Sequence, residues 1–383
     1  MTGGVKTAIV HEWLNEWAGS EQCLAAILEI FPDADLFAVV DFLDDSERAK
    51  LGGRRAKTTF VQRLPWARRK LELYLPLMPL AIEQFDLSGY DRIISSSHAV
   101  AKGVITGPGQ LHLSYVHSPM RYAWDLQHEY LRLGRLDRGL RSAMARMVFH
   151  YLRLWDVRTT HGVDRYACNS VFVARRIRKC YGREALVIYP PVDLARIPFV
   201  DRKQDFYLAA SRLMPYKRVD LIVEAFRALP ERRLIVIGAG PELERLRRSA
   251  SPNVSFLGRA TDAILHDHLG RARAFVFAAQ EDFGILPVEA QACGTPVIAF
   301  GKGGARETVR GIDGDRPTGI FFDEQTPESL IDAIKRFEAQ SPAIKSSDCR
   351  ENAMRFNLPR FREEFRAWVD AATTAWLSEQ EQA

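Results

Sequence analysis

The 383-residue chain is short of several things that would narrow its class. Its five cysteines, Cys23, Cys168, Cys180, Cys293 and Cys349, are scattered and form no Cys-x-x-Cys pair. That argues against a structural zinc site and a disulfide framework, and for reduced thiols in a cytoplasmic protein. No stretch approaches the roughly 18 apolar residues of a membrane-crossing helix. The first ten residues (MTGGVKTAIV) lack an apolar core followed by a small-residue cleavage site, so no secretion signal is expected. One-sided charge is also scarce, with 53 Lys+Arg against 48 Asp+Glu. The basic excess lies in the first 200 residues (27 Lys+Arg, 21 Asp+Glu), too small and too mixed to indicate nucleic acid, and no nucleic-acid partner is expected.

What the chain has is alternation. Residues 7–10, 35–40, 90–95, 111–116, 165–169 and 185–189 read as strands, with helical spacing over 19–30. A Pro-containing stretch from Tyr189 to about Gln204 interrupts the pattern. It then restarts, with strands expected at 205–210, 233–237, 254–257, 274–278, 295–300 and 319–322 and a helix over 219–228. Apolar runs separated by helices indicate parallel α/β sheets covered on both faces. The expected fold is therefore two Rossmann-like, doubly wound domains facing across a cleft. The first spans 1–198 and the second 199–359, with a connection near 195–204 acting as a hinge. Phe361, Phe365, Trp368, Val369, Ala372 and Trp376 fall at helical spacing, so 360–383 is expected to be a terminal helix packing back on the domains.

The chemistry-bearing residues cluster after the expected strands. Glu281-Asp282-Phe283-Gly284-Ile285-Leu286-Pro287-Val288-Glu289 places one glutamate at a strand end, a turn at Phe283-Gly284, and a second glutamate two turns into a helix. Pro287 is tolerated in a first helical turn, and the N–H groups of that end suit a diphosphate. Two glutamates eight residues apart prove nothing alone, since Glu is a common surface residue. Ser211-Arg212-Leu213-Met214-Pro215-Tyr216-Lys217-Arg218 puts a guanidinium and an ammonium after another strand, which fits two phosphates or a solvated basic turn. Gly238-Ala239-Gly240 reads as a tight turn, and no third glycine completes a dinucleotide fingerprint. The Asp33–Asp35 and Asp313–Asp315 strings are short enough to arise by chance, and neither is assigned to a metal.

Together these segments resemble the retaining glycosyltransferases of family 4, which have the GT-B fold, over nearly the whole chain. The resemblance implies that Glu281 contacts the donor sugar, Glu289 the nucleotide ribose, and Arg212 and Lys217 the donor diphosphate. Phe283, Gly284, Ile285 and Leu286 would complete that donor loop, and Gly258 and Arg259 would face the base. It further implies that His117, in His117-Ser118-Pro119-Met120-Arg121-Tyr122, is the active-site histidine near the sugar. A lone strand-end histidine is otherwise more often structural. The family often has two glycines before x-Glu in its first loop. Here only Gly19 remains, after Ala18, which weakens the donor role of that loop. His11 reads equally as an acceptor-side residue or a strand-end polar group. Arg121 and Ser170 are candidate acceptor-side residues, although Ser170 fits a helix cap equally.

His11-Glu12-Trp13 with the 117–125 segment resembles bacterial O-antigen and exopolysaccharide mannosyltransferases. That implies GDP-mannose as donor, no catalytic metal, and a lipid-linked saccharide as acceptor. The basic amphipathic stretches 63–85 and 132–158 suit contact with the inner leaflet of a membrane, or a solvated helix face. A UDP-sugar-dependent enzyme of the same fold, a sugar-nucleotide 2-epimerase and a non-catalytic sugar-nucleotide-binding protein are the alternatives. Glu281, Arg212 and Lys217 weigh against the last two.

Overall fold

The computed structural model describes residues 5–382 apart from Arg135. The expected absence of a leader therefore rests partly on residues 1–4, outside the described part, and so does the Arg135 position of the 132–158 stretch. The chain divides into two compact units, residues 1–191 with 361–383, and residues 192–360.

The first unit holds seven parallel strands: β1 (Thr7–His11), β2 (Asp35–Ala38), β3 (Lys57–Thr58), β4 (Arg92–Ser97), β5 (Leu111–Val116), β6 (Arg165–Cys168) and β7 (Leu186–Val187). Their order is β3-β2-β1-β4-β5-β6-β7. The second unit holds β8 (Tyr207–Ala210), β9 (Leu234–Ile237), β10 (Val254–Gly258), β11 (Ala274–Phe277), β12 (Val297–Phe300) and β13 (Gly319–Phe322), ordered β10-β9-β8-β11-β12-β13. Both sheets are thus doubly wound, and each reverses direction at one pair of strands, β1/β4 and β8/β11. Every residue of β1, β4, β5, β8, β11 and β12 is buried, as expected for strands covered by helices on both faces. No described helix is long and apolar enough to cross a membrane.

One strand went unread in the sequence, and one boundary needs correcting. The two-residue strand β3 carries Lys57 and Thr58, too short and too polar to show a period. The second unit begins at Val192 rather than after 198, because the stretch expected as a hinge is bonded to it. Val192 donates its N–H to Phe356 O at 2.8 Å, Val200 to Cys293 O at 3.1 Å and Gln204 to Arg271 O at 2.7 Å. The buried part of Lys203 adds bonds from Nζ to the carbonyls of Val200 and Gly270. The terminal helix, Leu358–Gln382, joins the first unit from Phe361 onward. There Phe361 and Phe365 pack edge-on against Tyr115, and buried Arg92 donates to Thr373 Oγ1 at 3.1 Å.

One carboxylate clamps the switch point of the first unit. Glu12, just after β1, is fully buried. Its Oε1 accepts the Ser97 hydroxyl at 2.9 Å and the N–H groups of His98, Ala99 and Ala101 at 2.8, 2.7 and 3.0 Å. Its Oε2 accepts the Val100 N–H at 2.7 Å. Burial opposes the charge, but His98 and the N–H groups of Ala101, Val100 and Ala99 outweigh it and hold the carboxyl below its ordinary 4.5. A group whose folded value is depressed contributes stability that is present above the unfolded value and lost as pH falls through the folded one. Glu12→Gln would turn an amide N–H₂ toward backbone donors. Urea unfolding is expected to show it about 2 kcal/mol or more less stable at pH 7. The gap from wild type is expected to narrow below pH 4.5. An equal gap at pH 7 and pH 3.5 would mean that the charge of Glu12 is not what clamps the loop.

Candidate functional site

In the second unit the chemistry collects where β8 and β11 end. The loop after β8 runs from Ser211 to Arg218, with a single 3₁₀ turn at Pro215–Lys217. It is pinned by backbone bonds from Ser211 N–H to Ile237 O (3.1 Å) and from Leu213 N–H to Ala239 O (2.8 Å). The turn after β9 can approach that closely only as glycine. Gly238 has φ of 145°, and a Cβ there would stand 1.9 Å from Ser211 O. The Gly238-Ala239-Gly240 turn, given no chemistry by the sequence, therefore sets the height of the loop that carries Arg212. Arg212 is exposed, with Nη2 3.4 Å from the Tyr216 hydroxyl.

The turn after β11 brings Glu281 to the same place. Lys217 Nζ donates to Glu281 Oε1, with both side chains mostly buried. Behind Glu281 lies a loop that the sequence reading missed, Gly301-Lys302-Gly303-Gly304. Gly304 donates its N–H to Glu281 O at 2.9 Å, and a Cβ on Gly303 would come within 2.4 Å of that oxygen. The glycine density of this stretch was the available signal. Gly284 stands at the N-cap of the helix Ile285–Ala292, with Pro287 in its first turn. Phe283 is buried edge-on against Phe356, 5.4 Å between centroids, which anchors the turn. Ile285 and Leu286 are half-buried at the helix start. Glu289 lies in the second turn with its carboxylate 3.6 Å from His266 Nε2. Interaction with Glu289 raises the His266 pKa above its usual 6.5, with burial opposing. His266, on the helix Asp262–Arg271, was not singled out by the sequence, since nothing in its own neighbourhood marks it. Gly258 uses its carbonyl to accept the Gly238 N–H at 2.8 Å, and Arg259 beside it is exposed.

The structure thus brings Arg212, Lys217, Glu281 and the start of the 285–292 helix to one end of one sheet. Two cations beside helix N–H groups can hold a diphosphate, and carboxylates can accept hydroxyls. Among the described residues, no three His, Cys, Asp or Glu side chains are grouped to hold a metal ion. Asp35, of one Asp-x-Asp string, accepts the Tyr90 hydroxyl and pairs with Lys57 at 3.4 Å.

In the first unit, His117 follows β5 and is half-buried. Burial first, then the neighbouring His98 and His11, hold its pKa well below 6.5, so its imidazole is neutral at pH 7. Its Nε2 lies 2.9 Å from Ser96 Oγ. His11 is fully buried at the end of β1, which leaves it no surface with which to touch an acceptor. It bonds instead to Ser96 Oγ (Nδ1, 3.0 Å) and Glu21 Oε1 (Nε2, 3.2 Å). Ser170 is likewise fully buried, and its hydroxyl accepts the Val173 N–H at 3.0 Å, which is the capping role. Arg121 is half-buried in the turn after His117, and Gly19 opens the helix Gly19–Ile30.

Parts of the chain match known proteins. A family model described as "Glycosyl transferases group 1" matches residues 194–356. A Corynebacterium glutamicum protein named as a GDP-mannose-dependent monoacylated alpha-(1-6)-phosphatidylinositol monomannoside mannosyltransferase is 37% identical over 144 residues, 33% of this chain and 38% of that one. A Geodermatophilus obscurus D-inositol 3-phosphate glycosyltransferase is 31% identical over 230 residues, 51% of this chain and 50% of that one. The matches therefore span half or less of the length of these curated relatives. The solved structure of sucrose-phosphate synthase from Thermosynechococcus elongatus superposes with a TM-score of 0.75 at 18% identity, covering 97% of this chain and 100% of that one, and shares the fold. Residues 194–356, nearly the whole of the second unit, thus match a glycosyltransferase family, and the doubly wound order of both sheets is that of the two-domain GT-B fold.

Proposed function

We propose that the chain is a retaining hexosyltransferase that moves mannose from GDP-mannose to a lipid-linked saccharide at the cytoplasmic face of a membrane, in bacterial surface-polysaccharide synthesis. The observation that carries this reading is the Arg212, Lys217 and Glu281 group at the β8/β11 switch point. Breaking a sugar–phosphate bond builds negative charge on the leaving diphosphate and positive charge on the sugar. Arg212, Lys217 and the N-terminus of the 285–292 helix would stabilise the former, each fixed donor contributing about 3–4 kcal/mol at the transition state. This charge is met by protein cations, so no catalytic metal is invoked. Glu281 would orient the sugar, Glu289 the ribose, and His117 would receive a substrate hydroxyl. Mannose and GDP are supported by the Corynebacterium relative, whose name specifies them.

A lipid-borne acceptor is supported by one face of the first unit. On the helix Gly139–Arg158, Leu140, Met144, Met147 and Leu154 are 58–78% exposed. With Tyr151 they are spaced four, three, four and three apart, which makes one apolar stripe. The helix carries Arg141, Arg146, Arg153 and Arg158, and its one acid, Asp156, is buried against Lys102 at 2.8 Å. Trp66, Leu73 and Leu80 are also exposed, near the exposed Arg68, Arg69 and Lys70. Arg158 is paired with Glu83 and Arg153 is half-buried, which leaves exposed Arg141 and Arg146 beside the apolar stripe, a combination that fits an anionic bilayer surface.

Thermal melting with equal excesses of GDP, UDP and ADP tests the donor. A ligand at about 100 times its Kd adds roughly 2.7 kcal/mol and raises the midpoint by a few degrees. GDP alone is expected to do so, and Arg212→Ala to abolish the shift. A shift with UDP alone would replace the donor by a UDP-sugar, and no shift would remove the donor site. Flotation with vesicles tests the membrane face. Binding is expected with anionic vesicles and not with neutral ones, and a Leu140→Glu/Met147→Glu double variant is expected to lose it. Unchanged binding by the variant, or self-association through this face in place of vesicle binding, would contradict the assignment.

A further inference from the structure

Four side chains of the first unit form an unbroken hydrogen-bonded line: Glu21, His11, Ser96 and His117. Glu21, His11 and Ser96 are 3%, 0% and 0% exposed, so water does not compete for these bonds. Only His117 at the end of the line is half-exposed, at the carboxyl end of β5. The three inner residues come from the helix Gly19–Ile30, β1 and β4, and none of them is placed to touch substrate itself.

The direction of each bond follows from the Glu21 end once His11 carries a single proton. Burial opposes the Glu21 charge, but the His11 bond, a backbone N–H and the neighbouring histidines together outweigh it and hold the carboxyl below its ordinary 4.5. A carboxylate only accepts. Its Oε2 already takes the Ala18 N–H at 2.9 Å and the Ser20 hydroxyl at 3.0 Å, so Oε1 takes a proton from His11 Nε2. With a single proton on His11, held at Nε2 by Glu21, Nδ1 is bare and Ser96 must donate to it. With its one proton spent, Ser96 Oγ can only accept from His117, whose Nε2 therefore carries the hydrogen. His117 Nδ1 is left as a lone pair, and no described group bonds to it.

We propose that Glu21, His11 and Ser96 are positioning residues that lock His117 in its Nε2–H tautomer, so that Nδ1 accepts a hydrogen bond from a substrate hydroxyl. The selectivity follows from the polarity: the site takes a neutral hydroxyl and disfavours a carboxylate, which has no hydrogen to give. The substrate part of this inference rests on the glycosyl-transfer reading, and the tautomer part does not.

The test is the imidazole spectrum of the full chain labelled with ¹⁵N-histidine, the His117 signals being assigned by their loss in His117→Asn. Wild type at neutral pH is expected to show Nε2 protonated and Nδ1 bare. Ser96→Ala is expected to give a mixture of tautomers or the Nδ1–H form, and Ser96→Thr to restore the wild-type spectrum. In transfer assays Ser96→Ala is expected to lose about tenfold in kcat/KM, the scale of one hydrogen bond, and Ser96→Thr to regain most of it. Nδ1–H in the wild type, or a His117 tautomer indifferent to Ser96→Ala, would overturn the relay. A correct tautomer with no transferase activity on any nucleotide sugar would leave the relay standing and sink the functional reading instead.

Discussion

The reversal of strand order between β8 and β11 is the constraint on which the second unit's chemistry depends. These strands are hydrogen-bonded neighbours, yet the chain leaves them toward opposite edges of the sheet, so the loops at their carboxyl ends part. Arg212 and Lys217 ride one loop and Glu281 the other, and the Lys217–Glu281 bond ties the two together across the gap. Each loop is also held from behind at a glycine, Gly238 against Ser211 and Gly303 against Glu281. Polar groups suited to a charged ligand are in this way placed largely by backbone packing.

The first unit solves the same geometrical problem with buried charge. Its reversal lies between β1 and β4, and the loop after β4 is gathered onto the carboxylate of Glu12. A second buried charge, Lys102, pairs with Asp156 at 2.8 Å and donates to Thr159 Oγ1 and Asp156 O, both at 2.7 Å. Burial of this kind costs free energy unless every polar atom finds a partner. Here both charges sit next to the β1/β4 switch point, where they fix the backbone beside Ser96 and His117.

Much of this was legible in the sequence because apolar runs report burial directly. The strands at 111–116 and 319–322 and the helix at 19–30 have the bounds their patterns predict. The turn at Phe283-Gly284 was legible from a glycine and a proline at fixed offsets. What was not legible is what depends on packing between distant segments. Tyr189 to Gln204 read as a linker because its prolines and charges break the period, whereas the backbone bonds of Val192, Val200 and Gln204 to Phe356, Cys293 and Arg271 attach its later part to the second unit. His11 looked like an acceptor-side group, and only the three-dimensional fold shows Glu21 and Ser96 on either side of its ring. His266 beside Glu289 and the Gly301–Gly304 loop behind Glu281 carry no local signature of their neighbours.

The central claim is that the carboxyl ends of β8 and β11 hold the diphosphate of a sugar nucleotide. A crystal structure of the full chain grown with GDP-mannose tests it most directly. The account predicts the two phosphates against the Arg212 guanidinium, the Lys217 ammonium and the N–H groups that open the 285–292 helix, with Glu281 turned to the sugar. A nucleotide bound elsewhere, with the Lys217–Glu281 pair undisturbed and Arg212 in solvent, would contradict it.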